Sequence, residues 1–154
     1  MALPRRTFLT LLWAVAVLVK LFKRHYTSDP PNDLKWIGGI KYVEMLTGPP
    51  LGVGSRVARR AAFLGRKIEY VNEVVAFVPG ERLEMQSVKG PFPMHITYEF
   101  ADHDDGRTRV NIRVRGEASG FFKLASPLLA GSVRRNVSRD LARLKRILES
   151  PGAE

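Results

Sequence analysis

Residues 94–117 read Met94-His95-Ile96-Thr97-Tyr98-Glu99-Phe100-Ala101-Asp102-His103-Asp104-Asp105-Gly106-Arg107-Thr108-Arg109-Val110-Asn111-Ile112-Arg113-Val114-Arg115-Gly116-Glu117. Side chains of a strand alternate between two faces. Met94, Ile96, Tyr98 and Phe100 therefore point one way, and His95, Thr97 and Glu99 the other. Beyond Asp104-Asp105-Gly106, a strong hairpin signal, Val110, Ile112 and Val114 oppose Arg109, Asn111, Arg113 and Arg115. Two such strands belong to an antiparallel sheet with one wet and one apolar face.

Working outward from this hairpin, strands are predicted at 40–46, 55–63, 67–78 and 82–88. Gly38-Gly39, Gly48-Pro49-Pro50, Leu64-Gly65-Arg66, Pro79-Gly80 and Lys89-Gly90-Pro91 punctuate them. Leu83 and Met85 oppose Arg82, Glu84 and Gln86. The strand at 67–78 changes phase: Ile68 and Tyr70 share one parity, Val75 and Phe77 the other. A bulge near Asn72 is the expected cause, and it bends the sheet. Toward the C-terminus, Phe121, Ala125 and Leu128 lead into Val133, Val137, Leu141, Leu144 and Leu148, mostly three or four apart, which predicts a long helix. Ser126-Pro127 fits a cap and first-turn proline, with a kink or restart there. Arg135, Arg139, Arg143 and Arg146 lie on its opposite face. A one-sided sheet needs a cover, and this helix is the long amphipathic element available. The expected class is α+β: a curved antiparallel sheet of about six strands around a long C-terminal helix, plus an N-terminal apolar helix.

The 154 residues fit one domain, 29–150, preceded by an apolar basic segment, 1–28. The chain has no cysteine, which excludes disulfides, thiol catalysis and thiolate-held metals. Its net charge of +10 is uneven. Residues 1–28 hold Arg5, Arg6, Lys20, Lys23 and Arg24 and no acid. Residues 107–146 carry a dense run of Lys and Arg against only Glu117 and Asp140. Such a field favours anionic partners. The Arg135/Arg139/Arg143/Arg146 stripe reads first as a solvated helix face; among anionic partners, a membrane surface met through it and residues 5–24 is favoured. Nucleic acid is disfavoured, because neither aromatic-interleaved basic motifs nor a helix-turn-helix pattern is visible.

Residues 8–19 are apolar apart from Thr10. That run falls short of the roughly 20 residues of a membrane span. Three readings stay open: a helix lying at a membrane, a packed helix or strand of the domain, and an export signal. Arg5-Arg6-Thr7-Phe8-Leu9 resembles a twin-arginine signal. The basic stretch at 20–25 argues against translocation, so export is the least favoured. The expected location is the cytoplasm, with the N-terminal segment available to hold the protein at a membrane.

Several stretches together resemble the START-like (SRPBCC) superfamily, in its polyketide cyclase/dehydrase and lipid-transport family. They are Asp29-Pro30 through Leu34-Lys35-Trp36, Gly52-Val53-Gly54-Ser55-Arg56, Phe63-Leu64-Gly65-Arg66-Lys67-Ile68-Glu69, the region 74–83 with its Pro79-Gly80 turn, Gly90-Pro91-Phe92-Pro93, Gly106-Arg107-Thr108-Arg109-Val110, and Gly120-Phe121-Phe122 with the helix to Leu148. The likeness spans about residues 27–149. It implies a helix-grip fold with a cavity for an apolar ligand between sheet and helix. Members usually open with a strand and a short helix begun by a Pro-x-Glu-like step. Residues 7–26 here contain no Pro, Glu or Asp. A lost first strand, an apolar replacement or an altered start of the sequence each account for that.

No catalytic constellation is visible. His25, His95 and His103 are scattered without ligand spacing, and neither a metal nor a cofactor is expected. Glu69 and Glu73 flank Asn72, where a bulge turning one inward makes an acid or base in a dry cavity. Tyr70 and Tyr98 are the stronger inward polar candidates, since a buried phenol needs a partner and a ligand carbonyl supplies one. The candidate lining is Tyr70, Met85, Met94, Ile96, Tyr98, Phe100, Phe121, Leu124 and Leu128; these residues equally suit a filled core. The expected function is binding or carriage of a lipid-like or polycyclic molecule. The alternative is a cyclase or dehydratase in the same cavity, without metal or covalent nucleophile, acting largely by holding substrate geometry.

Overall fold

The computed structural model describes residues 23–63, 65–105, 107–116 and 126–150, with backbone alone at 126–130. Six strands follow one another: β1 Ile40–Met45, β2 Arg56–Phe63, β3 Arg66–Val78, β4 Arg82–Lys89, β5 Met94–Asp102 and β6 Thr108–Gly116. Each pairs antiparallel with the next, so the sheet order is the chain order. A 3-10 turn at Pro30–Asn32 runs into a short helix α1, Asp33–Trp36, before β1. The long C-terminal helix α2 is Ser126–Glu149. This curled sheet with its terminal helix is the helix-grip α+β fold.

Cross-strand register carries the alternation seen in the sequence. Ile96 faces Met85 on one side and Val114 on the other; Tyr98 faces Leu83 and Ile112; Phe100 faces Val110. All share the inner face. Arg115, His95 and Gln86 form an outer row in the same way.

The phase change in β3 has a definite site. Val74 pairs with Met85 and Ala76 with Glu84, so Val75 is the extra residue of a bulge. A compensating irregularity sits on β4, where Val88 falls between the partners of Val71 and Asn72. The expected bulge near Asn72 thus resolves into two, one on either strand. They keep Tyr70, Asn72, Val74 and Phe77 on one face and bend the sheet.

The core is built by Trp36, Val74, Leu83, Met85, Tyr98, Phe100 and Leu144. Burying one such side chain contributes about 1.5–3 kcal/mol. Trp36 meets Tyr98 edge-on, centroids 6.4 Å apart and planes at 85°. On α2, Leu144 is buried, whereas Val133 and Val137 on the same stripe are only half-buried. The helix is pinned to the turn before β1, where the Gly38 amide donates to Asp140 Oδ1 at 3.0 Å. The Arg143 guanidinium lies against the same glycine, 3.3 Å from where a Cβ would stand.

Residues 23–28 are helical. Arg24 ties them to the sheet: Nη1 donates to Gly80 O at 3.0 Å and Nη2 to Asp102 Oδ1 at 2.7 Å. Tyr26 packs on the core. The rest of the apolar N-terminal segment lies outside the described residues. Among the described residues no helix is long and apolar enough to cross a membrane.

Candidate functional site

The inner face of the sheet brings together a charge pair and two phenols. β2 alternates Val57, Arg59 and Ala61 inward, and the register sets Arg59 opposite Tyr70 on β3. Arg59 is 5% exposed and Asp33, the first residue of α1, is 3% exposed. Arg59 donates from Nε and Nη2 to Asp33 Oδ2 at 2.9 and 2.8 Å. Its Nη1 and Nη2 also lie 3.9 and 4.0 Å from Met85 Sδ.

Burial raises the Asp33 carboxyl above its usual range, against the pull of Arg59. Burial also works against the Arg59 cation, but Asp33 and the nearby Tyr70 and Tyr98 outweigh it, and the guanidinium holds its proton more tightly than usual. Arginine does not deprotonate in proteins; Arg59 is the fixed charge and Asp33 the member that titrates. Burial, with the Asp33 charge adding to it, pushes the Tyr98 phenol far above its ordinary value; Tyr70 moves the same way, chiefly by burial. Both phenols are neutral hydrogen-bonding groups at any working pH.

Further polar groups share this interior without being satisfied. Trp36 Nε1 and both amide atoms of Asn72 have no hydrogen-bond partner among the described residues. Both side chains are 1% exposed. Buried polar atoms are ordinarily paired, so each orphan calls for an explanation.

The apolar part of the face is unevenly covered. Val57, Val74, Leu83 and Met85 are buried. Toward β6, Met94, Ile96, Val110 and Ile112 are half-buried and Val114 is 38% exposed. Of the expected lining, Tyr70, Met85, Met94, Ile96, Tyr98 and Phe100 are thus all on the inner face. Phe121 and Leu124 lie outside the described residues, as does the side chain of Leu128. Two hollows lie at the Arg24 end of the sheet. One, of about 210 Å³, is lined by His25, Ser28, Phe77, Pro79 and Gly80. An open depression of about 550 Å³ is bounded by Arg24, Glu81, Arg82, Glu99 and Asp102 among others. Neither contains the Arg59 cluster.

The family described as polyketide cyclase / dehydrase and lipid transport matches residues 24–149. The chain belongs to this family. The cyclase/dehydrase and lipid-transport match begins inside the helical residues 23–28. Among solved structures, a Thermus thermophilus protein is similar at TM-score 0.71 and 19% identity, over 84% of this chain and 88% of that one. The Zhui aromatase/cyclase of Streptomyces sp. R1128 is similar at TM-score 0.66 and 17% identity, over 87% and 90%. A START superfamily protein of Mycobacterium smegmatis is similar at 0.62 and 15%, over 86% and 90%. At these identities the likeness is one of fold. No curated protein sequence matches the chain.

The remaining sequence candidates sort by face. Glu73 pairs with Arg56 at 2.7 Å and Glu69 with Arg60 at 2.9 Å, outside the Arg59 cluster. His95 bonds Glu84 at 2.9 Å and His103 bonds Asp105 at 3.1 Å. Arg135, Arg139, Arg143 and Arg146 are exposed along α2. Sequence reasoning missed Asp33, Trp36, Arg59 and Asn72 as site residues. Parity flagged two of them: Arg59 shares the phase of Val57, and Asn72 that of Ile68 and Tyr70.

Proposed function

We propose that this protein binds a hydrophobic small molecule, lipid-like or polycyclic, between the inner face of the sheet and α2. The single observation that carries the reading is the uneven cover. Met94, Ile96, Val110 and Ile112 face inward yet stay half-buried and Val114 is exposed, while among the described side chains of α2 Leu144 alone is buried. Exposed apolar surface of this kind marks sites that a ligand covers. Native mass spectrometry of the purified chain against fatty acids and polycyclic aromatics tests it. A one-to-one complex is expected, lost in Ile96→Arg on the inner face and kept in Thr97→Arg on the outer face. No complex across the panel sinks the reading.

A second reading, catalysis, is favoured by the Tyr98 phenol, held neutral beside Arg59 and Asp33 and suited to donate a proton or a hydrogen bond to a carbonyl. The family's cyclase and dehydrase members and the Streptomyces aromatase/cyclase supply the reaction class to assay. Tyr98→Phe with unchanged turnover would remove Tyr98 from that role.

The exposed arginines of α2, with basic residues 5–24, support docking on an anionic membrane surface, each cation near it contributing about 1 kcal/mol. Co-sedimentation with phosphatidylserine vesicles, lost at high salt, is the expected result.

A further inference from the structure

We propose that Asn72 is the specificity-determining residue of the inner face, accepting and donating one hydrogen bond each to a neutral group of the ligand that presents a donor beside an acceptor. A carboxamide, a protonated carboxylic acid or an enolised carbonyl has that form. The inference deepens the binding reading above and rests on it.

Asn72 is 1% exposed, and neither its Oδ1 nor its Nδ2 has a partner among the described residues. Its neighbours in register do not supply one. Val57 on β2 is apolar. Ser87 on β4 is committed elsewhere: its Oγ accepts from the Met94 amide at 2.8 Å and donates to Phe92 O at 3.4 Å. Arg59, across from Tyr70 two residues away, is engaged by Asp33. A leucine of nearly the same volume would fill this position without burying two unpaired polar atoms. The amide is therefore costly without partners, and a ligand that satisfies both atoms relieves that cost.

The charge balance narrows the ligand group. Arg59 and Asp33 cancel each other within the cluster, so nothing there compensates an added anion, and a buried uncompensated charge is disfavoured. A neutral donor–acceptor pair fits. Trp36 Nε1, also unpaired among the described residues, offers one further donor.

Calorimetric titration of the full chain with naphthalene-2-carboxamide and its hydrocarbon isostere, 2-isopropylnaphthalene, tests the proposal. Wild type is expected to bind the amide at least about tenfold more tightly. In Asn72→Leu, and in Asn72→Val as a second apolar variant, that preference disappears while affinity for the hydrocarbon stays within about threefold. The ligand-free leucine variant is also expected to melt at the same temperature or higher. A preference that survives both substitutions overturns the proposal. So does a lowered melting temperature or a failure to fold in both variants, since the amide is then a structural group. Equal binding of the two compounds by wild type overturns this inference and leaves the binding reading standing. Binding of neither compound overturns this inference, and the binding reading then rests on the ligand panel above.

Discussion

Arg59 places two of its N–H groups on a single oxygen of Asp33, joining the middle of β2 to the start of α1 across 26 residues of sequence. Breaking a buried pair from one side leaves the other charge without compensation. Arg59→Met is therefore expected to destabilise the protein by about 3–5 kcal/mol at neutral pH. The double change Arg59→Met with Asp33→Leu should recover most of that loss. Urea denaturation of the three variants measures both effects, and a double variant no better than the single one would refute the account.

The same pair gives stability a pH signature. Burial lifts the Asp33 carboxyl above its ordinary 3.8. Between that value and its own higher one, the folded chain holds a proton that the unfolded chain has released. Asp33's contribution is thus complete below about pH 3.8 and lost as pH rises through its folded value. Asp33→Asn should flatten that segment of the stability curve. Arg59→Met should extend the decline to higher pH, because the cation no longer draws the carboxyl down. Denaturation midpoints from pH 3 to 8 read the difference.

Tyr98 should resist alkaline titration. Burial keeps its phenol protonated, so its phenolate absorbance should appear only on unfolding, and the alkaline titration of folded Tyr98→Phe should match that of the folded wild type. Tyr98→Phe keeps the edge contact with Trp36 and is expected to cost about 1 kcal/mol or less. Tyr98→Ala removes that ring and opens the core, at about 3–5 kcal/mol.

Gly90 lies against the base of Tyr70. A Cβ there would come within 2.9 Å of Tyr70 Cβ, and the residue sits at φ +156°. Gly90→Ala should cost about 1–3 kcal/mol through forced displacement. The displacement falls on Tyr70, opposite Arg59, so ligand affinity is expected to drop along with melting temperature. An unchanged melting temperature would show that the turn absorbs the extra methyl freely.

The strands were legible because a sheet wetted on one side writes its period directly into the chain. The runs through Leu83, Ile96 and Ile112 needed only alternation. The site was less legible for two physical reasons. Arg59 stands between Ala58 and Arg60 in a strand with three arginines, and its partner is an aspartate in what reads as a breaker cluster. A pairing that depends on tertiary approach leaves no local trace. Asn72 carries the inward phase of Tyr70, but nothing in the sequence shows that its amide meets no polar neighbour there. The long helix was visible from its stripe, but its tight hold at Leu144 and looser cover at Val133 and Val137 depend on how the sheet curves beneath it.

The extra residue at Val75 works as a phase shifter. The bulge absorbs it, so that Ala76 still meets Glu84 and Phe77 still meets Leu83 on the inner face. Deleting Val75 would leave Val74, Ala76 and Phe77 in plain alternation against Met85, Glu84 and Leu83, so Phe77 would stay inward and only the bend would be lost. A single missing codon would thus flatten one stretch of the sheet while every later side chain of β3 kept its present face.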